Sequence, residues 1–276
     1  MANTTNKQHE SFSASRGHIG ALKWIWLTCF FISSAALAQN QEADQSSSDE
    51  SGFTSSCEGF SYYRFVQDWI PTLCLKADST ACDTYDASFG WVVHGLWPED
   101  EGTEKYLGQC KGEAFDASQL YSIEGELNRT WPNPILKKID LEEKYEFWTW
   151  KHEWEKHGTC AVKCDSNVTS MEQYFSIGAS LHGQFDIASA LEDADINPSA
   201  SGSGTVVETS KVEAAIRNAF GVTPELQCIN NSDGASDLFS ISVCIDAQGL
   251  NAIECPVALD STYEVCPAQV SYPQPS

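Results

Sequence analysis

The segments HGLWP, from His94 to Pro98, and KHEWEKHGTC, from Lys151 to Cys160, are the most informative parts of this chain. Together they contain three histidines, and the second segment adds Glu153 and Lys156. An imidazole exchanges protons near neutral pH, and an ammonium group attracts phosphate. The two segments therefore predict one site for proton transfer around an anionic substrate, provided that the fold brings them together.

Strands are predicted before and after these segments. Tyr62–Trp69 (YYRFVQDW) is rich in aromatic residues and is followed by Pro71, which favours a strand that stops there. Phe89–Val93 (FGWVV) is a second predicted strand that delivers His94 at its end. Leu238–Asp246 alternates well enough to predict a third.

The strongest helix prediction is Asp140–His157. Its first residue can cap the N-terminus, Glu143 completes a capping box, and Gly158 can end the helix in a left-handed conformation. Met171–Leu191 and Lys211–Phe220 predict further helices. Because strands and helices follow one another without a regular βαβ order, we predict an α+β fold with a central, mainly antiparallel sheet flanked by helices.

Residues 1–38 have the features of a secretory signal peptide. A positively charged start is followed by the apolar run Trp24–Leu37 and by the small-x-small sequence Ala36–Ala38. The run is short for a membrane span, and an uncleaved signal anchor is the alternative. Polar residues 39–56 predict a disordered N-terminal tail. Residues 57–276 are long enough for one core and predict a single catalytic domain.

Ten of the 11 cysteines follow the predicted signal, and an even number in an exported chain indicates disulfides. Zinc binding by Cys160 and Cys164 with His157 is the alternative, but this spacing does not repeat as a paired module. Three Asn-X-Ser/Thr patterns match glycosylation acceptors: Asn128, Asn167 and Asn230.

The formal net charge of −23 excludes a broad basic surface for nucleic acid. A polyanionic substrate would need cations concentrated at the site, in a protein that works in acid, where carboxylates are partly protonated. We expect an extracellular location, or an acidic vacuole-like or periplasmic compartment. We also expect a monomer without stable membrane association.

The string HEWEKH, from His152 to His157, is close to the HExxH zinc signature but has one residue more between its histidines. On a regular helix five residues turn about 500°, which leaves the two imidazoles about 140° apart. Lys156 would also disfavour a bound cation. The string therefore predicts no metal site, and no cofactor is implied elsewhere.

The same helix suits chemistry without a metal. Glu153 and His157 are four residues apart and share a face, whereas His152 and Lys156 share an adjacent face. His94 is predicted to face them across a cleft. Two imidazoles on opposite sides of a phosphate can act as general base and general acid. No metal is needed when the nucleophile belongs to the substrate, as the 2'-hydroxyl of RNA does.

HGLWP and WKHEWEKHGTC (Trp150–Cys160) resemble the two active-site segments of the ribonuclease T2 family, the secreted acid endoribonucleases. The resemblance continues in Trp131–Pro132, in Ala215–Cys228 and in the C-terminal cysteines, and it spans Tyr62–Cys266. It implies an α+β fold with a central antiparallel sheet. It also implies a secreted, metal-independent endoribonuclease of low base specificity that acts on single-stranded RNA.

The resemblance implies a role for each polar residue of the two segments. His94 falls on the general acid and His157 on the general base. His152 falls on a phosphate-binding position, and Glu153 and Lys156 would stabilise the charge that builds on the phosphate. The implied products are 2',3'-cyclic phosphates, which slower hydrolysis converts to 3'-phosphates.

The resemblance also implies base contacts. Trp97 matches the stacking residue of the primary base site, Glu99 a contact to a base edge, and Tyr106 lies near a second stacking position. An aromatic face stacks on any base, in line with low base specificity. Gln67 is assigned to the second base site, although the family usually has glutamine directly before tryptophan, where this chain has Asp68.

The resemblance implies four disulfides and leaves a fifth pair: Cys110–Cys160, Cys228–Cys266, Cys244–Cys255, Cys74–Cys82 and, as the remainder, Cys57–Cys164. We expect the first of these to fix the spacing of His94 and His157. Such crosslinks mainly restrict the unfolded chain.

The pKa of His157 and the activity itself each have two interpretations. A position at a helix C-terminus and the charge of Glu153 raise the pKa of His157, whereas Lys156 and His152 oppose this, so the sign stays open. An acidic pH optimum is an expectation from the resemblance and the net charge. The alternative function is an inactive family member kept as a storage or recognition protein, and the complete set of site residues argues against it.

Overall fold

The computed structural model describes residues 53–54, 56–58, 60–76, 90–101, 106–132, 147–199, 206–230, 235–258 and 265–274. The predicted signal peptide, residues 1–38, and most of the predicted tail, residues 39–56, lie outside this part and stay predictions. Two residues of that tail, Phe53–Thr54, form a short strand, which departs from the prediction of disorder.

Strands and helices are interspersed along the described chain. The strands are β1 (Phe53–Thr54), β2 (Phe60–Trp69), β3 (Trp91–Asp100), β4 (Tyr106–Leu107), β5 (Val207–Glu208), β6 (Glu225–Asn230), β7 (Ser236–Asp246), β8 (Ala252–Ile253) and β9 (Gln269–Val270). The helices are α1 (Ile70–Lys76), α2 (Glu124–Thr130), α3 (Trp148–Glu153), α4 (Thr159–Cys164), α5 (Met171–Gln184), α6 (Ile187–Glu192) and α7 (Thr209–Phe220). A 3₁₀ turn at Ala117–Leu120 and a π-helical segment at Trp154–Gly158 complete the set.

The central sheet has the strand order β3-β2-β7-β6, with β8 paired to β7. Every pair in it is antiparallel, which confirms the predicted fold class. The strands predicted at Tyr62–Trp69 and Leu238–Asp246 lie within β2 and β7. Successive side chains of a strand point to opposite faces, so β2 sends Phe65 and Gln67 to one face and Arg64 and Asp68 towards the other.

The strand predicted at Phe89–Val93 runs on through His94 to Asp100, so HGLWP lies inside β3 rather than after it. Pairing with β2 continues over this length, because an edge strand needs hydrogen-bond partners on one side only. Val93 and Gly95 pair with successive residues of β2, which leaves His94 as an extra residue in a β-bulge. A bulge of this kind re-aims a side chain.

The second segment forms a helix with an irregular middle. Its predicted start, at Asp140 and Glu143, lies outside the described residues. After α3, the N–H of Thr159 donates to the carbonyl of Trp154, five residues earlier, and the chain then continues as α4. The predicted left-handed end at Gly158 is wrong, since its φ is −59°. Glycine is needed there because a Cβ would lie 2.5 Å from the Trp154 ring.

The hydrophobic core lies between one face of the sheet and helices α5 to α7. Phe65 of β2 meets Phe185 at 6.3 Å between ring centroids. Three side chains of α5 are buried in the core: Phe175, Ala179 and Leu181. Helix α7 ends at Gly221 with a φ of 81°, a left-handed conformation that glycine adopts without strain.

Four of the five predicted disulfides are present: Cys57–Cys164, Cys110–Cys160, Cys228–Cys266 and Cys244–Cys255. The pair Cys74–Cys82 stays a prediction because Cys82 lies outside the described residues. The bridge from Cys110 ties the segment after β4 to the first turn of α4, directly behind the π-helical segment. Within the part of the chain that the structure describes, no helix combines the length and apolarity of a membrane span.

Candidate active site

The bulge in β3 places the imidazole of His94 between two buried carboxylates. Its Nδ1 lies 3.0 Å from Oδ2 of Asp68, and its Nε2 lies 4.0 Å from Oε1 of Glu153. The side chain of His94 is 17% exposed, against 5% for Asp68 and 2% for Glu153. Sequence reasoning missed Asp68 as a site residue, although an acid inside an aromatic and apolar strand was the available signal.

Trp97 connects the first segment to the second. Its Nε1–H donates to Oε2 of Glu153 at 3.0 Å. Its ring stacks on the imidazole of His157, with centroids 5.2 Å apart and planes at 22°, and meets His94 edge-on at 5.3 Å. Because Trp97 is only 7% exposed, the indole is enclosed by the candidate catalytic groups. Its assignment as a base-stacking residue stays a prediction.

The π-helical segment changes how the residues of the second motif are arranged. A π turn joins residues five apart, so His152 and His157 are not held 140° apart as a regular helix would hold them. The positive charge of Lys156 reaches both of them as well as Glu153. Among the described residues of this site, no three potential metal-ligating side chains bring their ligand atoms within 4.8 Å of one another.

The pKa of His157 is held well below its ordinary value, which answers the question that the sequence left open. Burial is the largest cause, and the positive charge of Lys156 and the electrostatic effects of His152 and His94 act in the same direction. The helix does not end at this residue, so the expected effect of a helix C-terminus is absent. The pKa of His152 falls to about 3, through burial, Lys156 and His94. Both imidazoles are therefore neutral and free of a proton that would prevent base action.

The pKa of His94 is shifted in the opposite direction to that of His157. Burial alone would lower its pKa, but the charge and hydrogen bond of Asp68, with the charge of Glu153, outweigh burial and Lys156 and raise it. Burial also raises the pKa of Glu153, against the effects of His94, Lys156 and the Trp97 hydrogen bond. Two titratable groups with pKa values pushed apart identify an acid and a base. In this site His94 suits the acid and His157 the base.

The structure does not bring every predicted base contact to this site. Gln67 is 1% exposed, and its amide donates to the carbonyl of Phe185 at 2.8 Å on the core face of the sheet. Glu99 is 4% exposed and accepts from Nε–H of Arg64 at 3.4 Å. Tyr106 lies in β4, with its side chain outside the described part. The positions of Gln67 and Glu99 therefore favour structural contacts over contacts with a base.

Comparison with known proteins identifies the class to which this site belongs. Residues 60–255 match the Ribonuclease T2 family, and the chain belongs to that family. It is 33% identical over 214 residues to ribonuclease DdI of Dictyostelium discoideum, which covers 78% of this chain and 85% of the relative. It is 34% identical over 203 residues to extracellular ribonuclease LE of Solanum lycopersicum, covering 72% and 81%.

Solved structures agree with this assignment. The structure of a mutant of RNase MC1 in complex with 5'-GMP superposes with a TM-score of 0.60 at 25% identity, covering 77% of this chain and 100% of that chain. The shared fold, the disulfides and the relatives make this protein an endoribonuclease of the Ribonuclease T2 family.

Gly95 is a sharp test of the packing at this site. A Cβ at this position would overlap Nε1 of Trp97 and Oε2 of Glu153, so Gly95→Ala should break their hydrogen bond. A displacement of about 1 Å within an active site costs on the order of 10²-fold in rate, and we expect that loss in kcat/KM for RNA cleavage. Gly183→Ala is the matched control, because its Cβ would meet nothing within 4 Å. An unchanged kcat/KM in folded Gly95→Ala would contradict the contact.

Proposed function

We propose that this protein is a secreted, metal-independent endoribonuclease of low base specificity, which cleaves RNA through its own 2'-hydroxyl. The observation that carries this proposal is the pairing of two histidines with opposite pKa shifts around Trp97 and Glu153. A reaction that needs one proton acceptor and one proton donor at the same pH is favoured by that separation, because it increases the fraction of protein in the reactive protonation state.

In the first step, neutral His157 takes the proton of the 2'-hydroxyl, and the oxygen attacks the adjacent phosphorus. The bond from phosphorus to the 5'-oxygen breaks, and protonated His94 gives its proton to that oxygen. One product ends in a 2',3'-cyclic phosphate, and the other begins with a 5'-hydroxyl. Water then opens the cycle to a 3'-phosphate with the two histidines in reversed roles.

Three further groups support the charge on the phosphate in this proposal. Lys156 supplies a positive charge that acts on His94, His152 and His157 alike. His152 is neutral and can donate one N–H to a phosphate oxygen. One carboxylate oxygen of Glu153 accepts the hydrogen bond from Trp97, and its other oxygen lies near His94. These positions concentrate polar contacts at one point of a chain whose net charge is −23.

The proposed substrate and location follow from the relatives and from the N-terminal sequence. A structural relative is known in complex with 5'-GMP, and a second relative is named as extracellular. The predicted signal peptide and the disulfides agree with export. Stacking on an aromatic side chain would accept any base, so we propose cleavage with low base specificity.

The decisive experiment uses the oxidised protein, secreted by a host that expresses the full chain. It is incubated with a short RNA and EDTA across about pH 4 to 8, and the new ends are identified by mass spectrometry. We expect 2',3'-cyclic phosphates, and no cut where a single 2'-deoxynucleotide precedes the phosphate. Activity that EDTA removes would favour the zinc alternative. No cleavage at any pH would favour a storage or recognition protein.

A further inference from the structure

We propose that Asp68 is a positioning residue for the proposed reaction: it orients the imidazole of His94 through Nδ1 and keeps that imidazole in its proton-donating form. This inference rests on the proposed function, in which His94 is the proton donor. Asp68 does not touch the substrate in this scheme and acts only through His94.

The geometry supports this role. Asp68 lies near the end of β2 and reaches the bulge of the neighbouring strand, where its Oδ2 is 3.0 Å from Nδ1 of His94. With Nδ1 engaged, Nε2 is the ring nitrogen left to face the helical segment, 4.0 Å from Glu153. A bond at one ring nitrogen fixes both the orientation and the proton distribution of the other.

Among the described residues, Asp68 has few contacts besides the one with His94 that would explain an acid in this strand. Its Oδ1 is buried and has no hydrogen-bond partner among the described residues. Asp165, a second buried acid, differs because it accepts the hydroxyl of Tyr63 at 2.8 Å and the backbone N–H of Asn167 at 2.8 Å. A buried carboxylate that is not fully satisfied is costly, and such cost is commonly kept at functional sites.

Within the described residues, the charged groups that act on the pKa of His94 lie on two elements. Asp68 approaches from β2, and Glu153 and Lys156 approach from the helical segment, which also carries His152 and His157. Asp68 and Glu153 favour the charged imidazole, and Lys156 opposes it. Glu153 is the more distant acid and is also bonded to Trp97, so Asp68 is the closer partner of the donor.

The consequence is a specific pH dependence. The reaction needs His94 protonated, so kcat/KM falls as the pH rises through the pKa of His94. Asp68→Asn keeps the size of the side chain and removes its charge, which lowers that pKa and moves the alkaline limb of the profile to lower pH. Because an opposite charge at this distance shifts a pKa by about one unit or more, we expect a loss on the order of tenfold at the alkaline end. The acidic limb of the kcat/KM profile should change little.

The test compares kcat/KM against pH for the oxidised wild-type protein, Asp68→Asn, Asp68→Glu and Asp165→Asn. We expect Asp68→Glu to restore part of the alkaline limb, because it restores the charge. Asp165→Asn is the matched buried control and should lower the melting temperature without moving the limb. A loss by the same factor at every pH in Asp68→Asn, or an unmoved limb, would overturn the proposal.

A second readout separates this proposal from the proposed function. The ring of His94 is titrated by NMR in isotope-labelled wild type and in Asp68→Asn, without any RNA. A lower titration midpoint in the variant supports Asp68 even if the wild type cleaves nothing, in which case only the proposed function fails. An identical midpoint in both proteins contradicts the role of Asp68 even if RNA is cleaved.

Discussion

His157→Ala is expected to lower kcat/KM for RNA cleavage on the order of 10³-fold, because the 2'-hydroxyl then has no positioned proton acceptor. His152 does not take over in the proposed arrangement, because its neutral ring donates an N–H to a phosphate oxygen instead of facing the 2'-hydroxyl. His182→Ala is the matched control: that imidazole contacts the carbonyl of Trp91 at 2.9 Å, outside the site, and its loss should affect stability alone. Wild-type kcat/KM in folded His157→Ala would contradict the assignment.

His94→Ala is expected to cause a loss of similar size, and a second substrate tells the two histidines apart. When the 5'-nucleoside is replaced by a phenolate, the leaving oxygen needs no proton. His94→Ala should then recover most of its activity relative to wild type, whereas His157→Ala should not, since the 2'-hydroxyl must still lose its proton. Recovery in His157→Ala alone would show that acid and base are reversed.

The opposite shifts of these two histidines also bear on the expected acid optimum. His157 is neutral down to low pH, and His94 stays protonated to a higher pH than a free imidazole. These two directions widen the pH range in which His157 is neutral while His94 is protonated, compared with two unshifted imidazoles. The net charge of −23 still opposes RNA binding at neutral pH, so KM should rise with pH.

Most of the fold could be predicted from local sequence patterns. The aromatic strand β2, the alternating strand β7 and helix α7 with its terminal Gly221 follow from side-chain periodicity and from glycine conformation. The full length of β3 could not be predicted from the sequence, because Gly95 and Pro98 are typical of a turn. Only pairing with β2 at the edge of the sheet makes an extended conformation stable at these residues.

The candidate site was predictable where a motif holds its residues close in sequence. The helical string supplied His152, Glu153, Lys156 and His157, but its π turn and the resulting pKa shifts depend on tertiary packing. Asp68 escaped prediction because its contact with the bulge depends on the register of two strands. A one-residue slip in that register would turn Asp68 to the other face of the sheet.

Arg64→Ala is expected to cause the largest loss of stability in this set. The guanidinium is 1% exposed, donates to the carbonyl of Val257 at 2.9 Å, and pairs with Glu99 and Glu225. Removing one partner of a buried ion pair leaves an uncompensated charge, which costs about 3–5 kcal/mol of unfolding free energy. Arg129→Ala is the control, because that pair with Glu126 is exposed to solvent and should contribute nothing measurable.

The loss of unfolding free energy in Arg64→Ala should also depend on pH, and the pKa shift of Glu99 determines the direction of that dependence. Burial, partly offset by Arg64, raises the pKa of Glu99 to about 7, so the folded protein binds a proton that the unfolded chain has already released. Stability therefore falls as pH rises from about 4.5 to 7. Without Arg64 the pKa of Glu99 rises further and the fall extends to higher pH. Urea unfolding should show a larger difference from wild type at about pH 8 than at about pH 5. An equal difference at both would mean that lost packing, and not the stranded carboxylate, accounts for the effect.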